Sequence, residues 1–173
     1  LLLAGNNANF NNGSKVTDST VKADRNIAFD NSKADNSKLS AGNNANFNNG
    51  SKVTDSTVKA DNNINFNDSS ATGSKLKAGN DVKFNNSKAF NTKITAGVDA
   101  TFNNDSKLIN SQVFAGDSIE IADSSTKNIK LKANNNIKIS DTNSEGNLFA
   151  KAKNGNIKLI NVQGDATADL ISG

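Results

Sequence analysis

The sequence predicts an all-β fold, a right-handed parallel β-helix (a solenoid) with three short strands per turn of 18 or 19 residues. Three observations carry this expectation. The phrase AGNNANFNNGSKVTDSTVKAD occupies positions 4–24 and returns unchanged at 41–61. A weaker unit half as long as that offset runs through the whole chain. Its apolar residues come as apolar-x-apolar pairs between Gly, Asn and Asp, and an alternation of period two over three or four residues marks strands, not helices.

The first strand of each unit is apolar-x-Ala followed by Gly, Asp or Asn, and it starts at Leu2, Val21, Leu39, Val58, Leu76, Ile94, Val113 and Leu131. Six residues later comes the second strand, with the pairs Ala8/Phe10, Ile27/Phe29, Ala45/Phe47, Ile64/Phe66, Val82/Phe84, Ala100/Phe102, Ile119/Ile121 and Ile137/Ile139. The third strand centres on Val16, Ala34, Val53, Ala71, Ala89 and Leu108. From each third-strand centre to the next start is always five residues, whereas from the Phe to that centre is five or six. The 18-versus-19 variation therefore sits in one NNGS/NNS corner. At the corner after the first strand, Gly5, Asp24, Gly42, Asp61, Gly79, Gly97, Gly116 and Asn134 are residue types that tolerate left-handed backbone, which is expected there.

Stacked at about 4.8 Å, nine such turns make a single rod of roughly 40 Å over residues 1–173. Near the C-terminus the register stays open, since 140–173 admits a turn starting at Leu148 or at Ala150, and Leu170 opens another. Neither end carries a recognisable cap, so the reading is a segment of a longer chain whose strand edges invite end-to-end or lateral self-association. Phe10, Phe29, Phe47, Phe66, Phe84 and Phe102 recur once per turn and are expected to form one interior core ladder. Such a ladder explains how a chain only 34% apolar can build a core.

Composition excludes most chemistry. Asn fills 33 of 173 positions, and Cys, Pro, Met, Trp, Tyr and His do not occur. That removes disulfides, Cys/His metal sites, thiol nucleophiles and histidine acid/base catalysis. Asp residues do not cluster as calcium requires, and Glu occurs only at Glu120 and Glu145, so no cofactor, metal or enzymatic activity is expected. The 20 basic residues, against 17 acidic ones, are scattered singly along the sequence, which argues against a nucleic-acid stripe. No apolar run approaches the roughly 20 residues of a membrane span.

The rungs LKAGNDVKF, ITAGVDATF, VFAGDSIEI and LKANNNIKI, in tandem units of about 19 residues without Cys, resemble the filamentous haemagglutinin family of two-partner-secretion exoproteins. The resemblance covers residues 2–159 and implies a repeat shaft in a protein that leaves through an outer-membrane secretion pore. It implies a secreted or outer-cell-surface location and contact with host or neighbouring cells, glycans included. The units are more regular than is usual in that family, and neither its amino-terminal secretion domain nor a terminal toxin module is visible.

Two outward aromatics stand apart. Phe114 follows the start of its turn, and under the Leu148 register Phe149 takes the same slot two turns later, making a candidate exposed contact patch. Phe90 fits either core or corner. Asn-x-Ser triplets at Asn12, Asn49, Asn67, Asn85 and Asn104 match a glycosylation acceptor, although corner chemistry accounts for them equally. The functional expectation is a stiff spacer in a filamentous adhesin. The alternatives are the stalk of a contact-dependent toxin-delivery protein and an ice-binding or polysaccharide-binding β-helix.

Overall fold

The computed structural model describes all residues, Leu1–Gly173, and contains strands and corners but no helix. It is a parallel β-solenoid of about ten turns with three strands per turn, one more turn than the sequence count because the C-terminal residues complete a ninth and open a tenth. The first turn comprises Leu2–Ala4, Ala8–Phe10 and Lys15–Thr17, and each later turn lays its three strands parallel on those of the turn before. At about 4.8 Å per turn the rod is roughly 45 Å long.

Register follows the predicted columns. Val58 lies on Leu39, Phe66 on Phe47, and Ala71 on Val53. The corners extend the same ladder: the Gly42 N–H donates to the Ala23 carbonyl at 3.0 Å, Gly79 to Ala60 at 3.0 Å and Gly97 to Ala78 at 3.1 Å. The apolar core forms one continuous cluster from Ala8 to Ala152.

Within it the phenylalanines stack face to face. Successive ring centroids from Phe10 to Phe102 lie 4.6–5.5 Å apart with interplanar angles of 8–24°. Phe29, Phe47, Phe66, Phe84 and Phe102 are buried, whereas Phe10, in the first turn, is half-buried. Beyond Phe102 the column continues as Ile121, Ile139 and Leu159.

The corners correct one expectation. Left-handed backbone does not occur at Gly5, Asp24, Gly42, Asp61, Gly79, Gly97, Gly116 or Asn134. It occurs at the other two corners, for example at Asp18, Asn36, Asp55, Asn91 and Asn110 before the first strand and at Asn31, Asp68, Asn86 and Asp123 before the third. Asn and Asp tolerate this region better than other residues with a Cβ. At the first corner glycine answers a different need: a Cβ on Gly79, Gly97 or Gly116 would collide with the carbonyl oxygen of the residue one turn below.

At the left-handed corners from Asp18 to Asn110, a hydroxyl that follows the turn points inward. Ser19, Ser37, Ser56, Ser74, Thr92 and Ser111 form one column, and Ser32, Ser51, Ser69, Ser87 and Ser106 another; all but the half-buried Ser19 are buried. The Ser37 N–H donates to Ser56 Oγ at 3.0 Å, and the Ser56 hydroxyl donates to the Thr54 carbonyl at 2.6 Å. Every buried side-chain nitrogen or oxygen has a partner. The Asn-x-Ser triplets are accounted for here, because from Asn49 onward their serine is a buried column member.

The C-terminal register is settled by pairing. Ala150 lies on Leu131 and Leu148 on Ile129, so the turn starts at Ala150. Leu148 and Ile129 occupy the inward column that serines hold in earlier turns, which is why both Leu148 and Ala150 are buried. One column over, the third-strand centre passes from Leu108 to Thr126 and Ser144, whose hydroxyls hydrogen-bond at 2.8 Å. Hydroxyl and aliphatic groups have exchanged columns. Extra residues also leave the NNGS corner: a register shift lies between Lys127 and Ile129, and Ile137 pairs with Ile157.

Phe47→Ala should cost about 3–5 kcal/mol by urea unfolding, because it leaves a cavity between Phe29 and Phe66. Lys59→Ala, on an exposed outward position, should change stability by less than about 0.5 kcal/mol; equal losses would refute the inward register. Ser51→Ala should cost about 1–3 kcal/mol in the same assay by stranding the buried Ser32 N–H that donates to Ser51 Oγ at 3.2 Å.

Candidate contact surface

Period-two alternation in every first strand turns the central apolar residue and the Ala inward and sets two outward columns on a flat face. One column reads Thr20, Lys38, Thr57, Lys75, Lys93, Gln112, Lys130 and Phe149; the other reads Lys22, Ser40, Lys59, Lys77, Thr95, Phe114, Lys132 and Lys151. Phe114 and Phe149 therefore share a face but not a column. This corrects the Leu148 register, which put them in one slot; the Ala150 register places Phe149 before the start of its turn and Phe114 after.

Neither ring is freely exposed. Both are half-buried, with Lys93 and Lys132 ammonium groups 5.5 and 5.9 Å from the Phe114 centroid and Lys130 5.2 Å from that of Phe149. Phe90 is an outward third-strand residue, half-buried, with Lys88 5.8 Å from its centroid. Cationic side chains thus cover all three outward rings.

Stacking changes the meaning of the lysines. Isolated in sequence, they are gathered by an 18- or 19-residue repeat: nine of the 19 lysines, Lys22, Lys38, Lys59, Lys75, Lys77, Lys93, Lys130, Lys132 and Lys151, project from the first face. No acidic residue shares their two columns from Thr20 to Lys151. The molecule has three ion pairs, Lys83–Asp81, Lys127–Glu145 and Lys138–Glu120, and none involves these nine. Sequence proximity does not show this face, whereas place in the repeat does: the slot after each start already reads Lys22, Lys59, Lys77, Lys132 and Lys151 in the sequence, and the structure adds the neighbouring column of Lys38, Lys75, Lys93 and Lys130. Lys138, on the second face, is held above the usual lysine range by its 2.8 Å hydrogen bond to Glu120 and by the charge of that carboxylate.

Asparagines line the edge between the first and second faces. The Asn26 N–H donates to Asn7 Oδ1 at 3.1 Å, Asn44 to Asn26 at 3.1 Å and Asn63 to Asn44 at 3.1 Å. The column continues through Asp81, Asp99, Ser118 and Asn136 to Asn156. Every turn from the second to the ninth is tied by one such bond to the turn before it. These side chains are spent on the fold, as are amide ladders such as Asn65 to Asn46 at 2.9 Å.

No helix is long and apolar enough to cross a membrane, and no group of three or more acidic side chains is arranged to hold a metal ion. Among known proteins, no family model, curated protein or solved structure matches the chain.

Phe114→Ala and Phe149→Ala should each lower stability by about 1 kcal/mol or less, consistent with an exposed cation–π contact and a half-buried ring. Urea melts read beside Phe47→Ala check this; a loss as large as that of Phe47 would mean these rings are core.

Proposed function

We propose that the chain is a non-enzymatic segment of the structural shaft of a filamentous protein displayed on or secreted from a bacterial surface, where it holds a contact module away from the cell. The observation that carries this reading is axial continuity. Backbone ladders, the phenylalanine stack and the Asn7-to-Asn156 column all run along one axis, so each added repeat adds length and little else. A fold that stores its stability turn by turn suits a spacer. The resemblance to two-partner-secretion exoproteins supports the surface location, export through an outer-membrane pore and a part in adhesion.

A stiff rod has a length that tracks its turn count. Deleting residues 39–75 removes two whole turns and joins Lys38 to Leu76, preserving register. Small-angle scattering should then show a folded rod shortened by about 10 Å; an unshortened or collapsed particle would refute the shaft geometry. An antibody raised against the chain should label intact source cells or their medium, and labelling confined to lysed cells would overturn the surface assignment.

A further inference from the structure

We propose that the first face is a docking surface for an anionic lipid bilayer. The nine lysines of this face extend over eight successive turns, from Lys22 to Lys151, a length of roughly 35 Å at the strand-stacking distance. They are divided between two columns, four in one and five in the other, and two turns carry a lysine in both, Lys75 with Lys77 and Lys130 with Lys132. All but the half-buried Lys132 are exposed, and none is committed to a carboxylate.

Shape decides the partner. Parallel strands in register hold the ammonium groups in one broad sheet, so the charge is spread over an area. A bilayer presents its phosphates and carboxylates in a plane and meets both columns on every turn at once. A nucleic-acid duplex curves away from a flat face, and a single strand needs open aromatic platforms, whereas Phe114 and Phe149 lie under lysine ammonium groups. Those two half-buried rings give the same face an apolar component at headgroup level, where amphipathic groups settle. Each lysine that reaches an anionic leaflet strengthens binding roughly fivefold, and the attraction fades within a Debye length.

Docking goes beyond the shaft reading and is tested independently of it, since rod length and bilayer binding are separate measurements. Co-sedimentation of the folded chain with phosphatidylcholine vesicles, with and without phosphatidylserine, reads the affinity. Binding should require phosphatidylserine and vanish near 1 M salt, where the Debye length is about 3 Å. Lys75→Gln/Lys77→Gln/Lys130→Gln/Lys132→Gln should weaken it by about 600-fold. Lys15→Gln/Lys33→Gln/Lys52→Gln/Lys107→Gln, the same loss of charge from the third face, should weaken it less than tenfold. Matching urea midpoints establish that both variants fold.

Equal weakening by the two variants would overturn the proposal in favour of net charge alone. Failure of the wild-type chain to bind would overturn it outright. Binding to heparin or duplex DNA through the first face, without binding to vesicles, would reassign the surface to a linear polyanion.

Discussion

Every feature of this molecule depends on the parallel backbone ladder that sets each turn on the one before it. Because the ladder repeats at one fixed distance, a residue meets its own counterpart 18 to 20 positions away, and a single choice of side chain is multiplied along the rod. A Phe at one slot becomes a stack, an alternation of Ala with Ile or Val becomes a packed wall, and a Ser becomes a hydroxyl column. This is how a chain in which apolar residues are a minority can still bury an unbroken core. Large side chains are confined to a few columns, and alanine fills the space where the faces converge.

Corners would be the weak points of such a ladder, since the backbone must turn while its polar groups stay paired. Four devices meet that demand. Left-handed Asn and Asp residues make the turn at two corners, and the hydroxyls that follow them supply acceptors for neighbouring N–H groups. At the remaining corner an Asn or Asp oxygen from the turn below accepts the next backbone N–H, and glycine lets some turns approach more closely than a Cβ would permit. High asparagine content is thus a structural requirement of the corners. The same property leaves little of that polar surface free for other work.

What remains free is the flat outward surface of the strands, and there the ladder multiplies charge as it multiplies packing. Nine lysines that look dispersed in sequence converge on one face, while most carboxylates sit at corners or on the other faces. A rod that is only modestly cationic overall, at +3, therefore presents a strongly cationic side. Stiffness and a directional surface belong together in a spacer that also lies against something, which links the shaft reading to the docking face.

Much of the fold was legible because a solenoid writes its architecture in sequence order. The columns headed by Leu39, Phe47 and Val53 follow from spacing alone, since parallel stacking converts sequence period directly into spatial neighbours. The C-terminal start was not legible, because Leu148 and Ala150 are two residues apart, both point inward, and alternation cannot distinguish them; pairing with Ile129 and Leu131 does. Left-handed corners escaped for a related reason: Asn and Asp occur at all three corners, and backbone sign depends on which corner encloses a buried serine. The sequence by itself determined the repeat, the strand faces and the core columns, all consequences of local alternation and period. Only the tertiary structure decided that Phe114 and Phe149 fall in different columns, which lysines are free of carboxylates and which side-chain oxygens close the corners, because each is a relation between turns set by register.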